Sequence, residues 1–148
     1  MNPENQDAIV ACPHCGRRNR VQPAASGAPH CGNCGRPLPW LADASEDTFE
    51  ATVERSPLPT LVDFWAPWCG PCRMVEPVVR KMSTDLAGRL KVVRVNSDEA
   101  PRLSQRFQVL SIPTLMLFER GQVRDRVTGA IDASRMRAWL EPLVAARP

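Results

Sequence analysis

The chain has 148 residues, 43% hydrophobic and 24% charged, with 19 basic against 16 acidic side chains for a net charge of +3. That composition is globular and admits one ordinary domain, or a small domain with an appendage too short to build its own apolar core. It excludes a dominating phosphate-binding face, and no apolar run approaches the ~20 residues of a bilayer span, so no membrane association is expected.

Met1 to Ala11 carry Asn, Pro, Glu, Gln and Asp where a secretory leader needs a basic region followed by a long apolar one, so a cytoplasmic location is expected. Six cysteines in a reducing compartment point to metal binding or redox chemistry rather than structural bridges.

Cys12-Pro13-His14-Cys15-Gly16 and Cys31-Gly32-Asn33-Cys34-Gly35 repeat one CxxCG pattern with 15 residues between Cys15 and Cys31, a zinc-ribbon spacing. Each knuckle offers two thiolates on one tight turn, so Cys12, Cys15, Cys31 and Cys34 are read as a Cys₄ site for one structural zinc ion; two ordinary disulfides are the alternative. Residues 12 to 36 hold only Val21 among large aliphatic side chains, so the metal is expected to supply the missing core. His14 and His30 are left out of the ligand set because four thiolates already satisfy the ion. Arg17, Arg18, Arg20 and Arg36 are read as balancing the charge of a zinc tetrathiolate rather than as a nucleic-acid surface, since no aromatic platform accompanies them.

Pro37-Leu38-Pro39 stiffens a connector, and the boundary is placed there: a zinc module over 1–36 and an α/β domain over 37–148. A short strand is expected around 39–42, then a helix capped by Ser45 with Phe49 and Val53 on one face. Thr60 to Trp65 reads as a buried strand. Val75, Val78, Val79, Met82 and Leu86 repeat at helical spacing behind Cys69, with Pro77 expected to kink that helix. Lys91 to Asn96 is the next strand, parallel to the last across a helix of crossover length. A short helix over 101–107 leads to a strand at 114–118, a turn at Gly121 and a polar strand over 123–127, an antiparallel hairpin. Asp132 caps a last helix carrying Met136, Trp139, Leu140, Leu143 and Val144 on one face.

Trp68-Cys69-Gly70-Pro71-Cys72 therefore sits between a strand and a helix. A thiolate on Cys69 would lie at the helix N-terminus, where unpaired N–H groups lower its pKa; Cys72, one turn in and more buried, would resolve the mixed disulfide. Gly70 is read as permitting the turn and Pro71 as stiffening it. A zinc half-site is the competing use of CxxC, but the other four cysteines already complete a tetrahedral set. Asp63 is the residue a buried strand does not favour: burial would raise its pKa, unless it is simply a strand-end carboxylate in water.

Val62-Asp63-Phe64-Trp65-Ala66-Pro67-Trp68-Cys69-Gly70-Pro71-Cys72 resembles the active-site segment of thioredoxins almost residue for residue, and Ile112-Pro113-Thr114 resembles the family's second signature. Pro77 and Gly129 also match, so the resemblance runs from about Ala42 to the C-terminus. The double-knuckle module extends it to the zinc-containing second class of bacterial thioredoxins. The resemblance implies a thioredoxin fold, a mixed central sheet of about five strands with helices on both faces. It implies that Asp63 is general base for Cys72, and that Trp65 and Trp68 support the cysteines and offer substrate an apolar surface. It further implies that Ile112 and Pro113, joined by a cis bond, face the cysteines and pair with substrate backbone. The Gly-Pro dipeptide resembles reducing members, and so implies a protein-disulfide reductase, monomeric, recycled by an NADPH-dependent flavoprotein thioredoxin reductase and needing no bound organic cofactor. A disulfide oxidase or isomerase, or a zinc-ribbon binding module on a thioredoxin scaffold, are the alternatives.

Overall fold

The computed structural model describes residues 7–144; residues 1–6, on which part of the reading of the chain's start rests, lie outside them. In chain order the elements are β1 (Ala8–Ala11), β2 (Arg18–Val21), β3 (Leu41–Asp43), β4 (Thr60–Trp65), α1 (Gly70–Asp85), β5 (Lys91–Asn96), α2 (Pro101–Arg106), β6 (Thr114–Glu119), β7 (Gln122–Thr128) and α3 (Ala133–Val144). Five strands form one mixed sheet in the order β3-β5-β4-β6-β7, with β3, β5 and β4 parallel and β6 and β7 antiparallel. This is the thioredoxin fold.

Strand alternation divides the core in two. Leu61, Val92, Leu115 and Leu117 face Val75, Val79 and Met82 of α1 and Met136, Leu140 and Val144 of α3. Their neighbours Val62, Phe64, Val93, Val95, Met116 and Phe118 face the opposite way, onto Phe49, Val53 and Leu103. Phe107 completes that second cluster, its ring 5.2 Å from Phe118 at 89°, an edge-to-face contact. Helix α1 runs through Pro77 without ending, and Asp132 caps α3 by accepting from the amide of Arg135 at 2.8 Å.

The helix expected after Ser45 takes a different form. Ser45 Oγ does accept from the amides of Asp47 and Thr48, at 3.2 and 3.3 Å. The following turn is wider than an α-turn, however, because the amide of Arg55 reaches back five residues to the carbonyl of Glu50 at 2.9 Å. Phe49 and Val53 are still buried.

The amino-terminal segment is more ordered than its polar composition suggests. β1 and β2 pair antiparallel, Ala8 opposite Val21 and Ala11 opposite Arg18. Val21 is buried after all: it packs with Cys12, Cys31, Leu38 and Trp40. Residues 12–36 thus close a small core by borrowing Leu38 from the proline connector, Trp40 just after it, Val10 from β1 and Leu58 from farther along the chain. Trp40 is fully buried and donates its indole N–H to the carbonyl of Gln22 at 3.1 Å.

Lys91, at the start of β5, fastens this segment to the sheet. It is fully buried, its Nζ donates to the carbonyls of Pro23 and Thr52 at 2.5 Å each, and it lies 4.2 Å from the Trp40 ring centre. A lysine is tolerated there because each carbonyl and the indole face replaces part of its lost hydration. Lys91→Met keeps the stem but orphans two buried acceptors, so a loss of about 2–4 kcal/mol is expected in urea unfolding at pH 7. Burial pushes the Lys91 amine down to about 7. Between that value and the ordinary lysine range the unfolded chain binds more protons than the folded one. Wild-type stability should therefore rise with pH across this window, and Lys91→Met should remove that rise.

Candidate active site and metal centre

Cys69 stands where β4 hands over to α1. It is the N-cap of the helix, its Sγ accepts from the amide of Cys72 at 3.2 Å, and the two cysteines form a disulfide with Cα atoms 5.3 Å apart. An amide with no partner in the helix thus points at the sulfur. Cys72 is the more buried of the two, as expected, though in the disulfide both residues are almost wholly covered, Cys69 at 3% and Cys72 at 1% exposed. Pro71 falls in the first turn of α1, where its missing N–H costs nothing. The turn does not need Gly70: its φ lies outside the left-handed region, and a Cβ added there would meet nothing within 4 Å.

Opposite the disulfide, the Ile112–Pro113 bond is cis and the carbonyl of Ile112 lies 3.8 Å from Cys69 Sγ. Ala66, Cys69, Cys72, Trp65 and Ile112 make up one apolar cluster. Trp68 is 68% exposed beside it, with its indole N–H shared between both carboxylate oxygens of Asp98, at 3.0 and 3.2 Å. Asp98 was not singled out from the sequence, since an aspartate in a polar turn carries no signal of an indole 30 residues away.

Asp63 is fully buried, which sets aside the solvated alternative. On β4 it has the same parity as Leu61, so it lies on the face that α1 covers. In register beside it are Leu115 on β6 and Arg94 on β5, whose Nε donates to Asp63 Oδ2 at 3.2 Å. Asp63 Oδ1 is buried without a hydrogen-bond partner among the described residues. Burial pushes the Asp63 carboxyl up to about 6, against the pull of the Arg94 charge. Arg94 also stacks on Trp65, with Cζ 4.4 Å from the ring centre, and approaches Glu76 Oε1 at 3.8 Å. Neither Arg94 nor Glu76 was picked out from the sequence. Parity could have found Arg94, an arginine on the inward-facing side of a valine-rich strand.

The thioredoxin family model matches residues 40–142, a span holding the disulfide, Asp63 and Pro113. The chain is 48% identical over 100 residues to thioredoxin 1 of Nostoc sp., covering 68% of this chain and 94% of that protein. It is 50% identical over 103 residues to the thioredoxin of Synechocystis sp., covering 70% and 94%. With thioredoxin 1 of Chlorobaculum tepidum the identity is 49% over 90 residues, covering 61% and 89%.

The chain belongs to the thioredoxin family. It is a thiol–disulfide oxidoreductase, and the matched span takes in all five strands of the central sheet and the CxxC pair. The four remaining cysteines lie outside the matched span.

The Sγ atoms of Cys12, Cys15, Cys31 and Cys34 all lie within 4.8 Å of one another, with Cys12 and Cys34 at 3.7 Å and Cys15 and Cys31 at 3.5 Å. Four sulfurs about 2.3 Å from a tetrahedral zinc would stand roughly 3.8 Å apart, so the set fits that ion. The glycine after each knuckle, Gly16 at φ 80° and Gly35 at φ 79°, takes the left-handed conformation that lets the chain turn back, closed by Gly16 N to Cys12 O and Gly35 N to Cys31 O, both 2.9 Å. Amides face the sulfurs: His14 N to Cys12 Sγ and Asn33 N to Cys31 Sγ, both 3.4 Å. The amides of Cys34 and Asn33 hold the Cys31 thiol down to about 6. Against the amide of Arg36, burial and the sulfurs of Cys12, Cys31 and Cys15 push Cys34 up to about 11.

Asn19, missed by the sequence reading, knits the two knuckles together. Its Nδ2 donates to Arg17 O at 2.9 Å and reaches Cys31 Sγ at 3.6 Å, while its Oδ1 accepts from Gly32 N at 3.0 Å. Neither histidine turns to the sulfurs through Nδ1: that atom of His14 pairs with Arg36 at 3.1 Å and that of His30 with Ala28 O at 2.9 Å.

Proposed function

We propose that this thioredoxin-family chain is a general protein-disulfide reductase acting through Cys69 and Cys72. The observation that carries the reading is the sulfur of Cys69 at the N-cap of α1, facing the amide of Cys72 on one side and the carbonyl of Ile112 on the other. After reduction that amide favours a thiolate on Cys69, which attacks one sulfur of a substrate disulfide and releases the other as a thiolate. Cys72 then gives its proton to Asp63 and attacks Cys69 Sγ. The Cys69–Cys72 bond forms, the mixed disulfide breaks, and the second substrate sulfur leaves as a thiolate.

Trp65, Trp68, Gly70, Pro71, Ile112 and Pro113 form the surface around the pair on which an extended substrate segment docks, its backbone pairing beside Pro113. A flavoprotein thioredoxin reductase, with NADPH as electron source, returns the disulfide to the dithiol. Cys12, Cys15, Cys31 and Cys34 hold one zinc ion that stabilises the module over 1–36, ahead of the thioredoxin domain over 37–148. The location is cytoplasmic and the working unit a monomer. A direct test couples NADPH oxidation, through thioredoxin reductase, to reduction of insulin disulfides. Turnover that depends on this chain is expected; folded, dithiol-reduced protein that gave none would overturn the reductase reading.

A further inference from the structure

Beside the disulfide lies a cleft of about 340 Å³ lined by Trp65, Ala66, Pro67, Cys72, Arg73, Glu76 and Arg94. It joins three groups of the Asp63 site to solvent. Cys72 and Glu76 are four residues apart on α1 and so share one helix face. Arg94 spans the distance inward, with Nε on the buried Asp63 carboxylate at 3.2 Å and the other end of its guanidinium 3.8 Å from Glu76. The Arg94 side chain is 11% exposed and Glu76 34%, so the charges run from buried carboxylate to half-covered guanidinium to a carboxylate in contact with water.

We propose that Glu76 is a positioning residue for the resolving step: through Arg94 it sets how tightly the guanidinium holds Asp63. This rests on the reading that Cys72 resolves the mixed disulfide with Asp63 as its base. A guanidinium does not give up its proton at working pH, so Arg94 fixes charge but cannot relay. Among the described residues lining the cleft, Glu76 is the sole carboxylate.

The electrostatics run the same way. Arg94 divides its attraction between two carboxylates, so neutralising Glu76 leaves the guanidinium to Asp63 alone and favours the ionised Asp63. The charges bearing on Asp63 are Arg94 from β5 and Glu76 from α1; β6 presents Leu115. Arg73 lines the same cleft, and Asp43 and Glu99 line the space on the other side of Arg94.

The test measures resolution of a preformed mixed disulfide on Cys69 by stopped flow from pH 5 to 8, in wild type, Glu76→Gln and Asp63→Asn. Matched thermal unfolding of the three proteins accompanies it. In wild type an acid limb is expected, where protonated Asp63 can no longer accept from Cys72. Glu76→Gln should move that limb to lower pH by roughly half a unit to one unit and slow the plateau a few-fold, with unchanged unfolding. Asp63→Asn should slow resolution near neutral pH and move the limb upward, toward the ordinary thiol range, because Cys72 must then lose its proton to solvent. If Glu76→Gln leaves the limb in place while Asp63→Asn displaces it upward, the role of Glu76 falls and that of Asp63 stands. If Asp63→Asn leaves both the rate and the limb unchanged, the underlying reading falls and this inference with it. A carboxyl ¹³C titration of Asp63 in the oxidised protein gives the same shift without turnover, and an unmoved midpoint in Glu76→Gln overturns the coupling through Arg94.

Discussion

Cys72→Ser is expected to convert the chain into a trap that forms one mixed disulfide per molecule and then stops. The helix that presents Cys69 does not depend on the second sulfur, because the charge-stabilising group at Cys69 is the backbone amide of residue 72 and survives the substitution. Attack on substrate therefore continues, while the bond that releases product cannot form. Multiple turnover in the insulin assay should fall by a factor on the order of 10³ or more, with stoichiometric adduct on Cys69 detected by intact mass. Cys69→Ser should lose the same turnover with no adduct, since the serine left at the N-cap is no nucleophile toward sulfur at neutral pH. Adduct on Cys72 in Cys69→Ser, or sustained turnover in Cys72→Ser, would reverse the assignment of attacking and resolving sulfurs.

The placement of the pair was legible in the sequence because it hangs on local signals. The strand-to-helix junction at Trp65–Gly70, the period-2 alternation on either side of Val62 and the 3.6 spacing behind Cys69 each fix an element, and together they deliver the CxxC pair to a helix N-terminus. Asp63 announced itself by violating its strand's composition, and its complete burial is the outcome of that anomaly.

What escaped was non-local. Arg94 pairs with Asp63 through strand register, and a register belongs to two strands rather than one. The burial of Lys91 at the start of its strand carried no signal, because nothing in its neighbourhood foretells the carbonyls of Pro23 and Thr52, supplied from 68 and 39 residues away. The widened turn at Glu50–Glu54 had the same cause: hydrophobic spacing asks only that Phe49 and Val53 face inward, and an α-turn and a wider one both satisfy it.

The amino-terminal core shows how the same limit bears on experiment. Judged over residues 12–36 alone the module lacks apolar partners for Val21, yet Leu38 and Trp40 supply them, and Lys91 ties Pro23 to the sheet. Excising residues 1–36 would uncover Trp40 and take one of the two acceptors from Lys91, so a loss of activity on truncation would not separate a regulatory module from a damaged domain. Withdrawing metal leaves the chain whole. Under reducing conditions a zinc chelator is expected to release one ion per chain and to unfold the two knuckles. Four sulfurs within 4.8 Å of one another lose the ion that holds them together, and the cluster around Val21 is small beside the ~10–16 kcal/mol that zinc contributes in isolated fingers. Amide hydrogen exchange should quicken at Gly16 and Gly35, whose N–H groups close the knuckles, while β4, β5 and β6 stay protected. Trp40 fluorescence should shift to the red as Val21 and Gln22 withdraw from it, and insulin reduction should persist at more than about half its rate, since the apolar cluster around the disulfide is built from Ala66, Trp65 and Ile112 and includes no knuckle residue. Knuckle amides that remained protected after one equivalent of zinc had left would mean that packing on Trp40, and not the metal, holds the module together.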